Sequence, residues 1–223
     1  MKMFKKILFL RKFEDKFADK IQKKLSNKTK YLKVITTDTK KVNINKKIKF
    51  DYIFALRSHF ILKKKLINQA KYAAINFHPG PPRYRGIGCV NYAIYEKSKT
   101  YGSTAHIIDE KIDHGKIIDV RLFKVSKTDT VEKVLSKTYK TQYHQVLKVI
   151  EKLYQNNSNL MKLINKNKKY KWSNKIKSRS YLDKFYVIPK NISKSKLKTR
   201  LRSTITKKFK PYVELHGFKF YYQ

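Results

Sequence analysis

The 223-residue chain has little cysteine, glycine, proline or acidic charge. Its one cysteine, Cys89, excludes an intrachain disulfide and favours a reducing compartment. No apolar run reaches the ~18 residues that cross a bilayer, and the early segment ILFL is too short for a signal-peptide core. We therefore expect a cytoplasmic protein without a membrane span.

Basic residues outnumber acidic residues by 55 to 15, which gives a net charge of +40. Such a charge attracts polyanions, including nucleic acid. Most of the excess is lysine scattered along the whole chain, so a solvated basic surface is the simpler interpretation and nucleic acid is not the favoured partner. A non-catalytic RNA-binding module remains the alternative of another class, and it predicts basic and aromatic residues concentrated on one face.

Five of the six glycines and three of the five prolines lie between positions 79 and 115. Glycine permits unusual backbone angles and proline fixes φ, so this segment must follow a specific path. Cys89 lies beside it, and we interpret that residue as a small buried apolar side chain rather than a nucleophile.

Strand and helix patterns alternate along the chain, which predicts an α/β fold with a Rossmann-like, mostly parallel sheet. The predicted strands are 5–11, 32–37, 50–57, 72–77, 101–109 and 115–125, with a strand pair about Gly217. The predicted helices are 14–25, 59–71, 88–97, 131–154 and 193–205. We expect a catalytic domain over residues 1–155. The remaining residues, 156–223, are expected to contain a polar linker (about 155–180) and a small C-terminal α+β extension.

A strand ends in Asn76-Phe77-His78, and alternation puts the amide and the imidazole on one face. Both can address one carbonyl oxygen, which is an oxyanion site in outline. Asp113, in a second tight loop, offers a carboxylate that can orient the imidazole. The structural alternative is that Asn76 ends a turn and His78 is a core histidine.

The segment NFHPGPPRYRG, followed 35 residues after its histidine by IDHG, resembles the N10-formyltetrahydrofolate-dependent formyltransferase family. The resemblance implies direct formyl transfer from the folate to an amine, with Asn76, His78 and Asp113 as the catalytic trio. Asn76 would donate to the developing oxyanion, His78 would act as an imidazolium, and Asp113 would hold His78 and help to move the proton. No metal is implied.

The family holds the pterin ring of N10-formyltetrahydrofolate mainly through backbone groups, so the resemblance points to two loops. Ordinary core packing is the alternative for the first of them. The candidate folate-binding residues are His59, Phe60, Ile61, Leu62, Asp109 and Glu110, with the loop continuing to Asp113.

The site is most similar to sugar N-formyltransferases that act on dTDP- or GDP-linked 4-amino-4,6-dideoxyhexoses for surface polysaccharide. Methionyl-tRNA and glycinamide ribonucleotide are the alternative acceptors within the family. The aromatic tail FKFYYQ would suit a homodimer contact. The candidate acceptor contacts are Tyr84, Arg85, Asn91 and Tyr92.

Overall fold

The computed structural model describes residues 4–36, 44–45, 47–58 and 60–223. Strands alternate with helices along most of this length. The strands are β1 (Phe4–Arg11), β2 (Thr29–Thr36), β3 (Phe50–Leu56), β4 (Ala70–His78), β5 (Arg85–Gly86), β6 (Thr100–Ile107), β7 (Ile117–Lys124), β8 (Ile176–Lys177), β9 (Tyr212–Leu215) and β10 (Phe218–Tyr221). The helices are α1 (Lys16–Ser26), α2 (Lys64–Ile67), α3 (Cys89–Tyr95), α4 (Val131–Gln155), α5 (Asn159–Lys166), α6 (Arg179–Tyr186) and α7 (Lys194–Thr204).

Six strands form one central sheet in the order β2-β1-β3-β4-β6-β7. β1 runs parallel to β2 and β3, and β3 runs parallel to β4. β6 runs antiparallel to both of its neighbours, β4 and β7. The expected α/β architecture with a mostly parallel, Rossmann-like sheet is confirmed.

Helices and loops cover the central sheet on both faces. Successive side chains of β1 enter opposite layers, so Ile7 and Phe9 pack with α1 and α4, whereas Leu8 and Leu10 pack on the other face. All four are fully buried. This explains why the strand is an unbroken apolar run, as parallel strands covered on both faces are.

The predicted helix over 59–71 is wrong in its extent. Of the described residues 60–71, only the four of α2 are helical, and none of these four is fully buried. The N–H of Gln69 bonds to the carbonyl of Leu66, and the chain then enters β4 at Ala70. A single helical turn, of which only Leu66 and Ile67 partly pack against the core, has little to stabilise it or to extend it.

The polar segment 155–180 is more ordered than a linker. α5 forms within it because Leu160 and Ile164, four residues apart, are buried in the core shared with α4. β8 then pairs in parallel with β5, so the chain returns to the turn that follows β4.

The chain ends in α6, α7 and a two-stranded hairpin of β9 and β10, which is the expected small C-terminal α+β part. The aromatic side chains of β10 are exposed, with Phe218 at 71%. The homodimer contact suggested for this tail stays a prediction. No helix among the described residues is both long enough and apolar enough to span a membrane.

One buried polar network ties three elements to the end of β4. Arg57, just after β3, forms an ion pair with Asp15 at the start of α1 and donates to Gln142 Oε1 of α4 at 2.5 Å. Gln142 Nε2 in turn donates to the carbonyl oxygen of Phe77, the residue before His78, also at 2.5 Å.

We predict that Asp15→Ala lowers the free energy of unfolding by about 3–5 kcal/mol, because it leaves a guanidinium buried without its carboxylate. Loss of the cap that Asp15 provides to α1 adds about 1 kcal/mol. Asp19→Ala is the control, since the Asp19 carboxylate is exposed and its partner Arg11, although buried, keeps acceptors in Gln22 Oε1 and the Lys12 carbonyl. Urea unfolding measures both variants, and equal losses would contradict the role given to the network.

Candidate active site

β4 brings two polar side chains to the edge of the sheet where a Pro/Gly-rich turn begins. Asn76 and His78 are two residues apart, so they share a face of the strand. β6 runs antiparallel beside them and places His106 opposite Asn76. Asn76 Nδ2 lies 3.1 Å from His106 Nε2. The register therefore adds a second histidine to the predicted pair.

The turn after β4 holds the imidazole of His78 in place. His78 Nε2 lies 2.8 Å from the carbonyl oxygen of Tyr84. Thr104 Oγ1 on β6 donates to the carbonyl of Gly80 at 2.7 Å and fixes the turn to the sheet. A Cβ atom at Gly80 would lie 2.7 Å from His78 Nε2, so only glycine leaves the ring its space.

Asp113 reaches the same place from the loop between β6 and β7, where its backbone has a φ of +43°. One carboxylate oxygen, Oδ2, lies 3.2 Å from His78 Nδ1 and accepts the N–H of Gly86 at 3.0 Å. The other, Oδ1, lies 3.5 Å from His106 Nε2. The structure thus brings Asn76, His78 and Asp113 together.

Arg85 and a glycine shape the Asp113 loop. Arg85 Nη2 donates to the carbonyl of Ile112 at 2.8 Å, and its Nη1 donates to the carbonyl of Ser173 at 2.7 Å. A Cβ atom at Gly115 would lie 2.0 Å from the carbonyl oxygen of Ile107. Only glycine therefore lets the end of the Asp113 loop pass this close to the backbone of β6.

Burial and hydrogen bonding have opposite effects on the pKa values of His78 and Asp113. Burial alone would raise the pKa of Asp113, but His78, His106 and the N–H of Gly86 outweigh it, and the pKa lies well below its usual range. Burial lowers the pKa of His78, although Asp113 and the Tyr84 carbonyl oppose this. Burial thus favours a neutral ring, whereas the acceptors at both ring nitrogens favour the imidazolium that the resemblance implies.

Cys89 lies behind this pair and is buried and free. Its Sγ lies 3.2 Å from the carbonyl oxygen of Gly86 and 3.4 Å from that of Tyr84. Burial, with the charge of Asp113, raises the pKa of the thiol far above its usual range. A protonated, buried thiol agrees with the small buried apolar side chain that we expected at this position, and not with a nucleophile.

A cavity of about 310 Å³ opens in front of Asn76 and Asp113, with His106 in its wall. His78 does not line this cavity and contacts it through Asp113. Five of the six candidate folate-binding residues line this cavity, and His59 lies outside the described residues. Those five are Phe60, Ile61, Leu62, Asp109 and Glu110.

A larger cavity of about 730 Å³ lies on the other side of Gly86 and Ile87, which line both spaces. α3, α4, α6, the C-terminal hairpin and the segment just before it (206–210) form most of its remaining walls. Asn91, one of the four candidate acceptor contacts, lines it and donates to the carbonyl of Ser203 at 2.7 Å.

The other three candidate acceptor contacts line neither of these two cavities. Tyr84 is buried and its hydroxyl donates to Glu96 at 2.9 Å. Tyr92 packs on Phe185, with ring centroids 5.0 Å apart. Arg85 supports the Asp113 loop, as described above. The roles of all four in binding stay predictions.

Comparison with known proteins decides the family. The model of the formyl transferase family matches residues 10–150, which is more than half of the chain. The chain belongs to the formyl transferase family. Its matched part contains Asn76, His78 and Asp113 together with both loops of the smaller cavity.

Other formyl transferases resemble the chain to different extents. A methionyl-tRNA formyltransferase of Wigglesworthia glossinidia brevipalpis is 30% identical over 122 residues, covering 51% of this chain and 38% of that protein. The chain thus spans well under two thirds of the curated relatives that it matches first.

Two solved structures match nearly the whole chain in fold. A 4-N formyltransferase of Francisella tularensis has a TM-score of 0.70 and 22% identity, covering 98% of this chain and 96% of that chain. An N-formyltransferase of Helicobacter canadensis, in complex with folinic acid and dTDP-3-aminofucose, has a TM-score of 0.69 and 19% identity, covering 96% and 86%.

Two residues of this formyl transferase site were missed by sequence reasoning. His106 enters through the antiparallel pairing of β6 with β4, which the expectation of parallel strands did not include. Trp172 comes from the segment predicted as a linker, and its ring meets that of His106 edge to face at 5.0 Å. The polar residues around Trp172 carried no signal for such a contact.

We predict that replacing Asp113 by Asn removes a pH-dependent part of the stability. Because the folded-state pKa of Asp113 is depressed below its unfolded value of about 3.9, the carboxylate stabilises the fold fully above about pH 5. That advantage over Asn should shrink as the pH falls below about 4.

Urea unfolding at several pH values measures the difference between the wild-type protein and Asp113→Asn. Asp183→Asn, at an exposed carboxylate, is the control for removing one negative charge. A wild-type advantage that stays constant from neutral to acidic pH would contradict the assignment.

Proposed function

We propose that this protein transfers the formyl group of N10-formyltetrahydrofolate to the amine of a dTDP- or GDP-linked 4-amino-4,6-dideoxyhexose. The observation that carries the proposal is that two cavities share the wall formed by Gly86 and Ile87, beside Asn76 and Asp113. A transferase must hold two substrates so that their reacting atoms meet, and adjoining cavities at one polar cluster suit this task.

The smaller cavity fits the folate. Three isoleucines around it are exposed, with Ile61 at 72%, Ile112 at 53% and Ile87 at 39%. A flat, partly apolar ring system would cover them, while backbone groups of the two loops would meet its polar edges. The Helicobacter canadensis neighbour is in complex with folinic acid, which supports a folate as the ligand of this fold.

In the proposed reaction, the amine nitrogen attacks the formyl carbon, and the bond from that carbon to N10 of the folate later breaks. Asn76 Nδ2 donates to the formyl oxygen as it gains negative charge. Asp113, which lines the cavity, passes the proton lost by the amine to His78 behind it. A protonated His78 has an acceptor at each nitrogen, Asp113 Oδ2 and the Tyr84 carbonyl. The proton returns to N10 as that nitrogen leaves.

The larger cavity fits a nucleotide-linked acceptor. Its basic side chains outnumber its acidic ones, which suits a pyrophosphate, and the net charge of +40 would steer an anion towards it. Tyr212 and Tyr221, with ring centroids 5.2 Å apart, offer aromatic faces for a base. The charged residues that line the cavity are Arg179, Asp183, Lys208, Lys210 and Lys219.

The extent of the structural matches supports the sugar acceptor. The Francisella tularensis and Helicobacter canadensis enzymes match over 98% and 96% of this chain, including its C-terminal part. The second of them is in complex with a dTDP-linked amino sugar. The product would enter surface polysaccharide, and the reaction would take place in the cytoplasm. Methionyl-tRNA is the second candidate acceptor, because a curated relative is a methionyl-tRNA formyltransferase.

We predict that the protein, incubated with N10-formyltetrahydrofolate and dTDP- or GDP-linked 4-amino-4,6-dideoxyhexoses, formylates at least one sugar. Mass spectrometry would show the mass gain of a formyl group in place of hydrogen. Parallel incubations contain methionyl-tRNA and glycinamide ribonucleotide. Formylation of either of these, with every sugar unchanged, would contradict the sugar acceptor and leave the transferase intact.

We also predict that Asn76→Ala, His78→Ala and Asp113→Ala each lower kcat by about 10²–10³-fold, as the loss of a preorganised donor in an oxyanion site does. His144→Ala, at an exposed position of α4, is the histidine control and should keep its rate. Circular dichroism checks that each variant is folded. A folded variant of the trio with a normal rate would exclude that residue from the mechanism.

A further inference from the structure

We propose that His106 is a positioning residue that sets which end of the Asn76 side-chain amide faces the formyl oxygen. This inference rests on the proposed function for its catalytic consequence. Its structural part stands on the hydrogen bonds of the described residues alone. His106 is buried, it lines the smaller cavity, and it belongs to β6 rather than to either predicted loop.

The backbone decides which nitrogen of His106 carries a proton. His106 Nδ1 lies 2.7 Å from the carbonyl oxygen of Ile107. A carbonyl oxygen can only accept, so Nδ1 must be protonated for this contact to be a hydrogen bond. In a neutral ring, Nε2 then carries a lone pair and no proton.

An acceptor at Nε2 selects the orientation of the Asn76 amide. Asn76 Nδ2 lies 3.1 Å from His106 Nε2, within hydrogen-bonding distance. Since the amide nitrogen has two protons, one can bond to His106 while the other is left for a ligand in the cavity that Asn76 lines. The reversed amide would set its oxygen against the His106 lone pair and turn an acceptor towards the ligand.

His106 Nε2 cannot serve both of its neighbours at once. Asp113 Oδ1 lies 3.5 Å away and is itself an acceptor. If the ring gained a second proton, Nε2 would donate to Asp113 and Asn76 would lose its acceptor. Asp113 is already engaged through Oδ2 by His78 and by the N–H of Gly86. The neutral ring is therefore the state in which Asn76 is held as a donor.

Trp172 fixes the plane of the His106 ring. The two rings meet edge to face, with centroids 5.0 Å apart and an interplanar angle of 84°. Trp172 Nε1 donates to the carbonyl of Gly115 at 2.8 Å, which anchors the indole to the Asp113 loop. The His106 ring is thus restrained by its neighbours on β4, on β6 and in segment 155–180.

Two amide substitutions separate this role from simple packing. Gln at 106 can place an oxygen near the position of Nε2 and still accept from Asn76. Asn at 106 is shorter and can replace only Nδ1. It can therefore keep the hydrogen bond to the Ile107 carbonyl, but it offers no acceptor to the Asn76 amide. Both variants are neutral and polar, so they differ chiefly in the contact to Asn76.

With the folate and the sugar acceptor as substrates, we expect His106→Asn to lower kcat by about 10-fold or more. The upper limit is the loss of about 10²–10³-fold that follows when an oxyanion donor is removed altogether. The KM for the folate should change by less than that factor. His106→Gln should recover most of the rate. Equal rates for wild-type protein and a folded His106→Asn variant would overturn the proposal, as would two variants that are equally impaired.

Nuclear magnetic resonance of the nitrogen-15-labelled protein tests the same inference without turnover. We expect the His106 ring to carry its proton on Nδ1. We also expect one Asn76 side-chain amide proton to have a chemical shift typical of a hydrogen-bonded proton, which is lost in His106→Asn and kept in His106→Gln. A proton on Nε2, or an Asn76 signal unchanged in His106→Asn, would overturn the inference. If the wild-type protein formylates none of the acceptors, the proposed function fails, and these spectra still decide the role of His106.

Discussion

The carboxylate of Asp113 holds together three parts of the fold that meet at one edge of the sheet. It meets His78 at the end of β4, the N–H of Gly86 in the turn that follows, and His106 on β6. Because the carboxylate is buried, each of these contacts acts with little screening by water. The charge on Asp113 thereby fixes the ring of His78 and the position of the turn.

The position of the Asp113 carboxylate depends mainly on the backbone geometry of the loops around it. Close approaches at Gly80 and Gly115 leave no room for a Cβ atom, and Asp113 itself has a positive φ. Such positions concentrate at functional sites, where the surrounding structure offsets their strain. The buried bonds from Arg57 through Gln142 to Phe77 hold the strand end from behind.

The sequence was sufficient for most of the central sheet and for the placing of Asn76 and His78 at one strand end, because a buried strand that ends in these two residues has a strong local pattern. Asp113 required the resemblance, since spacing does not show that two loops meet. His106 depended on the register of an antiparallel pair, which no local pattern reports. The helix expected over 59–71 failed because most of its apolar residues pack against the core from a largely irregular connection rather than from one helical face, and Ile61 is exposed. α5 was hidden because two buried residues among lysines and asparagines carry a weak signal.

The central claim is that the trio addresses a formyl group at the junction of the two cavities. A crystal structure of the protein with a stable formyl-folate analogue and a nucleotide-linked amino sugar measures this directly, as the distance from Asn76 Nδ2 to the formyl oxygen. We expect a hydrogen bond of about 3 Å, with the folate ring in the smaller cavity and the sugar amine on the side of Ile87. A folate ring bound elsewhere, or a formyl group beyond the reach of Asn76, would contradict it.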